Sequence, residues 1–538
     1  MHGTGAGSGA SGPEPAWWQR GAIYQIYPRS FADADGNGVG DLAGIADRLD
    51  HIAGLGAEAI WLSPFYRSPM ADFGYDVSDY CDVDPTFGTL ADFERLVEEA
   101  HARGIRVVVD WVPNHSSDRH PWFEASRSSR DDPKRDWYVW RDSASGGGRA
   151  GGPPNDWESI FKAAGRAWTF DERTDQWYLH SFLAEQPDLN WDNPEVEAAM
   201  HDVLRFWLDR GVDGFRLDAI HRIAKDPRLR DNTGAARKHD EDWDTMHDRL
   251  RGIRRVIDEY EDRMLVGEVA LHDLHRIVEY LATGDQLHLA HNFIFAEQPW
   301  DADGYRTSID DFELVAEGRA WPAWFLENHD NPRVVDRFGE EGLGPARARA
   351  ALLILYAVRG TPFIYQGQEL GLPNAEIPPD RVVDVDGRDP ERAPIPWRPP
   401  SEAGPGAGFT TGNPWLPLVA EAEDLNVETQ AADPRSTLSL TRRLAQLRRE
   451  TPALQMGGHR SLDAGADVFA WMREDDGERL LAAVNFATRP APLDVGEPVA
   501  GSALILSTDP DRPEAEVSSE GLELAPGEGV LLRLAQHR

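Results

Sequence analysis

The chain has 538 residues, 41% of them hydrophobic, so it can bury several small cores or one large barrel with attached domains. Its 93 acidic and 55 basic residues give a net charge of −38, which disfavours nucleic acid and anionic membranes as partners and suits a neutral small-molecule substrate. The single cysteine, Cys81, excludes an intramolecular disulfide and a cysteine-based zinc site.

The N-terminal segment, residues 1–16, is rich in glycine and lacks the basic and apolar parts of a signal peptide, so we expect a flexible tail. No stretch approaches the roughly 18 consecutive apolar residues that a membrane-spanning helix needs. We therefore expect a cytoplasmic protein that does not bind membranes and is a monomer or a small homo-oligomer.

Short apolar runs alternate with longer amphipathic segments between residues 20 and 370. The runs are bounded by turn residues and indicate buried strands; they end at Tyr27, Leu62, Val112, Asp218, Val269, Phe293, Asn328 and Gln366. Segments such as 90–102, 196–208 and 346–358 repeat apolar residues every three or four positions and predict helices. Eight strands, each followed by a helix, predict an α/β fold, the parallel (β/α)8 or TIM barrel.

Two regions depart from this alternation. Residues 116–190 are far too long for an ordinary loop and predict a small domain inserted after the third strand. After a helix near 436–450, the runs 468–473 and 480–486 predict antiparallel strands. We therefore predict a barrel at 17–115 and 191–456, and a C-terminal β-sandwich at 457–538.

Charged residues follow four of the predicted strands, at the barrel end where active sites lie. The third strand leads to Asp110, Asn114 and His115, the fourth carries Arg216 and Asp218 on one side, the fifth ends at Glu268, and the seventh leads to His329 and Asp330. Each alone has a structural explanation, such as a buried ion pair or a helix cap. Together they would be expensive to desolvate without a use, which indicates a functional site.

Three carboxylates without a cofactor motif suit glycoside hydrolysis, which needs two carboxyl groups flanking the scissile bond. A separation of roughly 5–5.5 Å would give a covalent intermediate and retention of configuration. The third acid can raise the pKa of the general acid and bind sugar hydroxyls.

At this point the sequence resembles a known family. The segments that carry the resemblance are YQIYPRSFADADGNGVGDL, FGYDVSDY, DWVPNH, QPDLNW, GFRLD, GEV, ENHDNPR and GTPFIYQGQELG. In this order they resemble glycoside hydrolase family 13, the α-amylase family, in its bacterial α-glucosidase and oligo-1,6-glucosidase branch. The resemblance extends from about Trp17 to the end of the sequence.

The resemblance implies catalytic roles for three acids. Asp218 matches the nucleophile, Glu268 the general acid/base and Asp330 the residue that stabilises the transition state. Arg216 would keep Asp218 ionised by its positive charge, because a close opposite charge lowers the pKa of a carboxyl group.

The resemblance also implies a glucose pocket. His115 and His329 would hydrogen-bond the sugar, and Asp72 and Tyr75 match its recognition acid and stacking aromatic. Arg388 would pair with that acid and close the pocket, which implies removal of terminal glucose units. The entrance and the leaving-group site would be lined by Phe182 and Gln186.

The segment DADGNGVGD resembles the first part of a calcium loop, with oxygen ligands alternating with glycines, but the twelfth position is Gly44 rather than glutamate. A solvated acidic turn would look similar. The branch carries a structural Ca²⁺ or Mg²⁺ here, so the resemblance implies one ion at Asp33, Asp35, Asn37, Val39 and Asp41. We expect no organic cofactor.

Two departures bear on the substrate. His221 and Arg222 stand where α-amylases have a Lys-His pair, which disfavours cleavage within starch. Ala219 follows the nucleophile where relatives that prefer α-1,6 bonds have valine, which favours α-1,4 bonds such as that of maltose.

We thus expect an exo-acting, retaining α-glucosidase. A glucosyl transferase or a trehalose-forming mutase is the alternative, because either would use the same covalent intermediate. A non-enzymatic transporter scaffold is a remote third possibility, which the presence of all three acids disfavours.

Overall fold

The computed structural model describes residues 15–496 and 499–535. The predicted N-terminal tail, residues 1–16, lies outside the described residues except for its last two. No helix within the described ranges has the length and apolar composition to span a membrane.

Eight parallel strands form a closed barrel in which the first strand pairs with both the second and the eighth. The strands are Ile23–Ile26, Ala59–Leu62, Arg106–Trp111, Gly214–Leu217, Met264–Glu268, Leu289–His291, Ala323–Trp324 and Thr361–Tyr365. The main helices that follow them in turn are Leu42–Asp47 with Leu49–Leu55, Leu90–Ala102, Pro194–Leu208, Met246–Ile257, Leu274–Glu279, Ala302–Ala316, Gly344–Ala357 and Thr437–Glu450. The predicted (β/α)8 barrel is confirmed.

Six of the eight predicted strand ends agree with the structure within one residue, and the other two are displaced for local reasons. The sixth strand stops at His291 because the Asn292 side chain caps a short helix, Phe293–Ala296, by accepting a hydrogen bond from the Phe295 amide at 3.1 Å. The seventh strand stops at Trp324, whose neighbour in the sheet is Pro362. The apolar run continues through the buried Phe325 and Leu326, although the register with the eighth strand ends at Trp324.

The long connection after the third strand has its own structure. A helix, Pro121–Ser128, precedes a three-stranded antiparallel sheet made of Trp140–Arg141, Trp168–Asp171 and Gln176–Leu179. His115 and Asp188 form an isolated β-bridge, so the two ends of the connection meet beside the barrel.

The C-terminal region has two antiparallel sheets, of five and two strands, which share an apolar cluster. Their strands are Gly458–Leu462, Val468–Asp475, Glu478–Asn485, Ala503–Ser507 and Gly529–Arg533 in the first sheet, and Ala491–Pro492 with Glu523–Leu524 in the second. The antiparallel C-terminal fold is as predicted, while the domain boundaries at 115/116, 190/191 and 456/457 stay predictions.

The barrel interior changes from apolar to charged along the strands. Trp61, Val108 and Val266 belong to a buried cluster that fills the barrel. Side chains alternate along a strand, so Asp110 faces the same side as Val108, and Glu268 the same side as Val266. The strands therefore deliver charged groups to the interior at their C-terminal ends.

Candidate active site

Arg216 is the centre of a buried group of acids. One terminal nitrogen of its guanidinium donates to Asp218 Oδ1 at 2.7 Å and to Asp110 Oδ1 at 2.9 Å, and the other donates to Glu268. The Arg216 and Asp110 side chains are essentially inaccessible to water, whereas Glu268 keeps about a fifth of its side chain exposed (21%). One cation is thus shared by three carboxyl groups.

The sheet register brings two of these acids to the same level. The fourth and fifth strands pair Arg216 with Val266 and Leu217 with Gly267, so the next pair in register is Asp218 with Glu268. Adjacent strands lie roughly 4.7–4.9 Å apart. The two carboxyl groups therefore lie on neighbouring strands at one level, and both bond to Arg216.

Burial dominates the charge state of this group. It raises the pKa of Asp110 to about 7, and it raises the pKa of Asp218 well above its usual range even though Arg216 opposes the shift. Glu268 adds negative charge beside both acids. Arg216 lowers the pKa of Asp218, the direction expected from the sequence, but burial and the neighbouring acids Glu268 and Asp110 outweigh it.

The residue after Asp218 has an unusual backbone conformation. Ala219 is in the left-handed region, with φ 41° and ψ 37°, which a side chain without β-branching tolerates best. This turn directs the Ala219 amide toward Glu268 Oε2 at 3.3 Å, and the next turn brings His221 Nδ1 within 3.3 Å of the Glu268 carbonyl oxygen. The strand end therefore fixes both acids relative to each other.

Asp330 lies in a different electrostatic environment. Its Oδ1 accepts hydrogen bonds from Arg388 at 3.0 Å and from Arg392 at 2.8 Å, and His329 Nε2 lies 3.1 Å from its Oδ2. Burial alone would raise the pKa of Asp330, but His329, Arg388 and Arg392 together outweigh it and hold this pKa well below its usual range. Asp330 is thus ionised throughout the neutral range.

The two predicted sugar-binding histidines are neutral. Burial lowers the pKa of His115 to about 4 and that of His329 to about 3. Gln25 Nε2 donates to His329 Nδ1 at 2.8 Å, which leaves the ring proton on Nε2, facing the Tyr75 hydroxyl at 2.6 Å. The Tyr75 and His329 rings stack with centroids 5.5 Å apart.

A cavity of about 190 Å³ opens beside the acids. It is lined by Asp72, Tyr75, His115, Ile160, Phe161, Phe182, Asp218, Glu268, Asp330, Asp386 and Arg388. Eight of these were predicted site residues. The three remaining residues predicted for the catalytic site and glucose pocket, Gln186, Arg216 and His329, do not line the cavity but lie directly behind it. Gln186 Nε2 contacts Asp72 Oδ2 and His115 Nε2 at 3.0 Å each.

One end of the cavity is closed by an ion pair. Arg388 donates to Asp72 Oδ1 at 2.7 Å, and both side chains are almost fully buried. These are the two residues that the resemblance pairs. Elsewhere in the lining, Phe182 packs against His115 with ring centroids 5.0 Å apart, and Ile160 is exposed.

The sequence reasoning missed several members of the site. Asp110 was noted at a strand end but given no role, and Ile160, Phe161 and Asp386 were not recognised as lining residues. Asp384 and Arg392, which hold Arg388 and Asp330, were also missed. A useful signal was available for the last two, since 384–392 alternates acids and arginines within nine residues.

The acidic loop after the first strand brings its carboxylates together. Oxygen atoms of Asp33, Asp35 and Asp41 lie within 4.8 Å of one another. Asn37 donates from Nδ2 to Asp35 Oδ2 at 3.0 Å and accepts from the Val39 amide at 2.8 Å. Clustered hard oxygen donors of this kind fit Ca²⁺ or Mg²⁺.

Comparisons with known proteins agree with this geometry. The family described as alpha amylase, catalytic domain, matches residues 25–457. A probable alpha-glucosidase of Rhizobium meliloti is 41% identical over 530 residues, which cover 92% of this chain and 94% of that protein. A trehalose-6-phosphate hydrolase of Escherichia coli is 37% identical over 96% of this chain and 98% of that protein.

Solved structures extend the comparison to the whole fold. An alpha-glucosyl transfer enzyme is 40% identical with a TM-score of 0.89, over 97% of this chain and all of that one. The trehalulose synthase of Pseudomonas mesoacidophila is 35% identical with a TM-score of 0.89 over the same shares. The closed barrel, the acids grouped around Arg216 and these matches together place the chain in the α-amylase family, glycoside hydrolase family 13, in its α-glucosidase branch.

Proposed function

We propose that this protein is a retaining, exo-acting α-glucosidase that hydrolyses terminal non-reducing α-glucosyl residues of short oligosaccharides. The observation that carries the proposal is the pair Asp218 and Glu268, level with each other on adjacent strands and facing one cavity. The α-glucosidases and oligo-1,6-glucosidases among the relatives support it.

Two displacements complete the reaction. In the first, an Asp218 oxygen attacks the anomeric carbon and forms an ester, while Glu268 gives its proton to the glycosidic oxygen and the aglycone leaves as an alcohol. In the second, Glu268 takes a proton from water, the water oxygen attacks the same carbon, and Asp218 leaves as a carboxylate. Two inversions give net retention.

The first step needs a proton on one acid and a negative charge on the other. Burial raises the pKa values of Asp110 and Asp218 against the opposing charge of Arg216, so these two neighbours of Glu268 hold protons more tightly than isolated carboxyl groups do. The reaction needs such a proton on Glu268, the most exposed of the three, and an ionised Asp218. Asp330 stays ionised and can stabilise the positive charge that develops on the sugar ring.

The shape and charge of the cavity support terminal cleavage of neutral sugars. The Asp72–Arg388 ion pair closes the end that would receive the non-reducing glucose, so the rest of the substrate extends past Phe182 toward solvent. The lining carries five carboxyl groups, which favours an uncharged substrate. With Ala219 after the nucleophile, we propose α-1,4 bonds as the preferred linkage.

Glucosyl transfer is the second candidate. The alpha-glucosyl transfer enzyme and the trehalulose synthase share this fold over nearly the whole chain. The same covalent intermediate would serve both activities, since only the acceptor in the second step differs. The entrance around Ile160 and Phe182 would then hold a sugar in place of water.

Three further properties complete the proposal. A Ca²⁺ or Mg²⁺ ion would be held by Asp33, Asp35 and Asp41 with Asn37 and Val39 nearby, and would stabilise the loop. The protein would act in the cytoplasm, and it would be a monomer or a small homo-oligomer.

The proposed function is tested with Asp218→Asn, which keeps the side-chain shape but removes the nucleophile. We expect the variant to keep the wild-type circular dichroism spectrum and to lose nearly all hydrolysis of maltose. The matched control is Asp202→Asn, an exposed acid on the helix Pro194–Leu208, which should keep full activity. Substantial turnover by Asp218→Asn would overturn the assignment, and faster hydrolysis of isomaltose than of maltose by the wild type would overturn the linkage preference.

A further inference from the structure

The loop that carries Arg388 contains a third buried acid, Asp384. We propose that Asp384 is a positioning residue: it fixes Arg388 and Arg392 and so keeps the glucose end of the cavity closed. This inference rests on the proposed function, because it concerns how the same pocket selects a terminal glucose.

Asp384 holds Arg388 from behind. Its Oδ1 accepts from Arg388 Nη2 at 2.6 Å, and its Oδ2 accepts from Arg388 Nε at 3.0 Å. Arg388 Nη2 also donates to Asp72 at 2.7 Å, and Arg388 Nη1 donates to Asp330 at 3.0 Å. Asp384 therefore sets the direction in which Arg388 meets the two acids of the cavity.

Asp384 also contacts the second arginine. Its Oδ1 lies 3.3 Å from a guanidinium nitrogen of Arg392, whose other guanidinium nitrogen donates to Asp330 at 2.8 Å. Arg392 Nε donates to the His329 carbonyl oxygen at 2.7 Å. The three acids and two arginines thus form one continuous network, in which Asp330 lines the cavity and Asp384 does not.

Asp384 is itself held rigidly by the backbone. Its Oδ2 accepts from the amides of Asp386 at 3.0 Å and Arg388 at 2.9 Å. Its own amide donates to Asp389 Oδ2 at 3.1 Å. A carboxylate fixed by this many donors can orient the arginines without moving itself.

Apolar packing contributes little to the part of the loop next to Asp384. Val382, Val383 and Val385 are 52%, 48% and 50% exposed, so their side chains do not pack into the protein. Arg388 is held by the polar network and by the Phe161 ring, whose centroid lies 4.9 Å from its guanidinium carbon. Without Asp384, the Asp72–Arg388 pair would no longer be held in one place, and the closed end would open to larger groups.

The test compares two substrates with the same leaving group. One is 4-nitrophenyl α-glucoside, and the other is its 4,6-O-ethylidene derivative, in which the two hydroxyls remote from the scissile bond are blocked. A purely structural defect would lower kcat/KM for both equally, so the ratio of the two values reports on the closed end alone.

For the wild type and for Asp380→Asn, an exposed acid of the same loop, we expect hydrolysis of the unblocked glucoside and little of the blocked one. For Asp384→Ala we expect a higher KM for the unblocked glucoside and a ratio of blocked to unblocked kcat/KM that rises at least about tenfold. Asp384→Asn keeps the oxygen that accepts from the loop amides and should shift the ratio in the same direction, so it carries the test if the alanine variant does not fold.

An unchanged ratio in a folded Asp384 variant would overturn the inference while leaving the proposed function intact. A wild type that hydrolyses neither glucoside would overturn the proposed function, and the inference with it.

Discussion

The pKa of Asp110 can be tested through the pH dependence of the free energy of unfolding. It is fully buried, it accepts from Trp61 Nε1, Tyr75 Oη and Arg216 at 2.9 to 3.2 Å, and burial raises its pKa to about 7. In the unfolded chain its pKa is about 3.9. Between these values the folded state keeps a proton that the unfolded state has lost, so the free energy of unfolding falls as pH rises. At a slope of up to 1.36 kcal/mol per pH unit, the Asp110 contribution falls by about 2 kcal/mol from pH 5 to pH 7 and by about 3 kcal/mol from pH 5 to pH 8.

Asp110→Asn keeps the shape and removes the titration. We expect the variant to lose about 3 kcal/mol less stability than the wild type between pH 5 and pH 8, measured by urea unfolding at each pH. The surface control Asp202→Asn should retain the wild-type pH dependence. Equal losses for Asp110→Asn and the wild type would refute the reasoning, because they would mean that Asp110 is ionised in the folded protein near its usual pKa.

Glu268→Gln should lower turnover of maltose by about 10²–10⁴-fold but lower turnover of 4-nitrophenyl α-glucoside much less, because nitrophenolate leaves without a proton. Equal losses on both substrates would argue against Glu268 as general acid. Chelation with EDTA should lower the melting temperature of the wild type, and calcium at one hundred times its Kd should restore about 2.7 kcal/mol of the free energy of unfolding. Asp35→Asn should abolish this response, and a wild type whose melting temperature does not change with EDTA would rule out the ion. A phosphate on the non-reducing glucose of maltose should lower kcat/KM at least about 100-fold through repulsion by the acidic cavity, and comparable rates would contradict that picture.

Much of the fold follows from local sequence patterns. The helix Leu90–Ala102 was predicted to the residue from apolar residues that repeat along one face, and in the structure Thr89 and Asp92 cap its first turn. Most strand ends were equally clear, since buried parallel strands are apolar runs with polar ends. The seventh strand was not, because its apolar run continues through the buried Phe325 and Leu326 after its pairing with the eighth strand ends at Trp324.

The site also contains residues that the sequence predicts and residues that it does not. Acids at strand ends are positioned by the barrel itself, so Asp218 and Glu268 could be placed from the sequence. Asp384 and Arg392 lie on an irregular loop, and their contacts with Arg388 and Asp330 depend on a chain path that periodicity does not predict. The direction in which Arg216 shifts the pKa of Asp218 could also be predicted, whereas the larger opposing effect of burial depends on how the barrel packs around the site.

The central claim is that Asp218 and Glu268 carry out a double displacement. It is tested most directly by proton NMR of the wild type with maltose, recorded before the released glucose mutarotates. The account predicts that the glucose from the non-reducing end appears first as the α-anomer. Its first appearance as the β-anomer would mean a single displacement by water and would contradict the assignment of Asp218 as nucleophile.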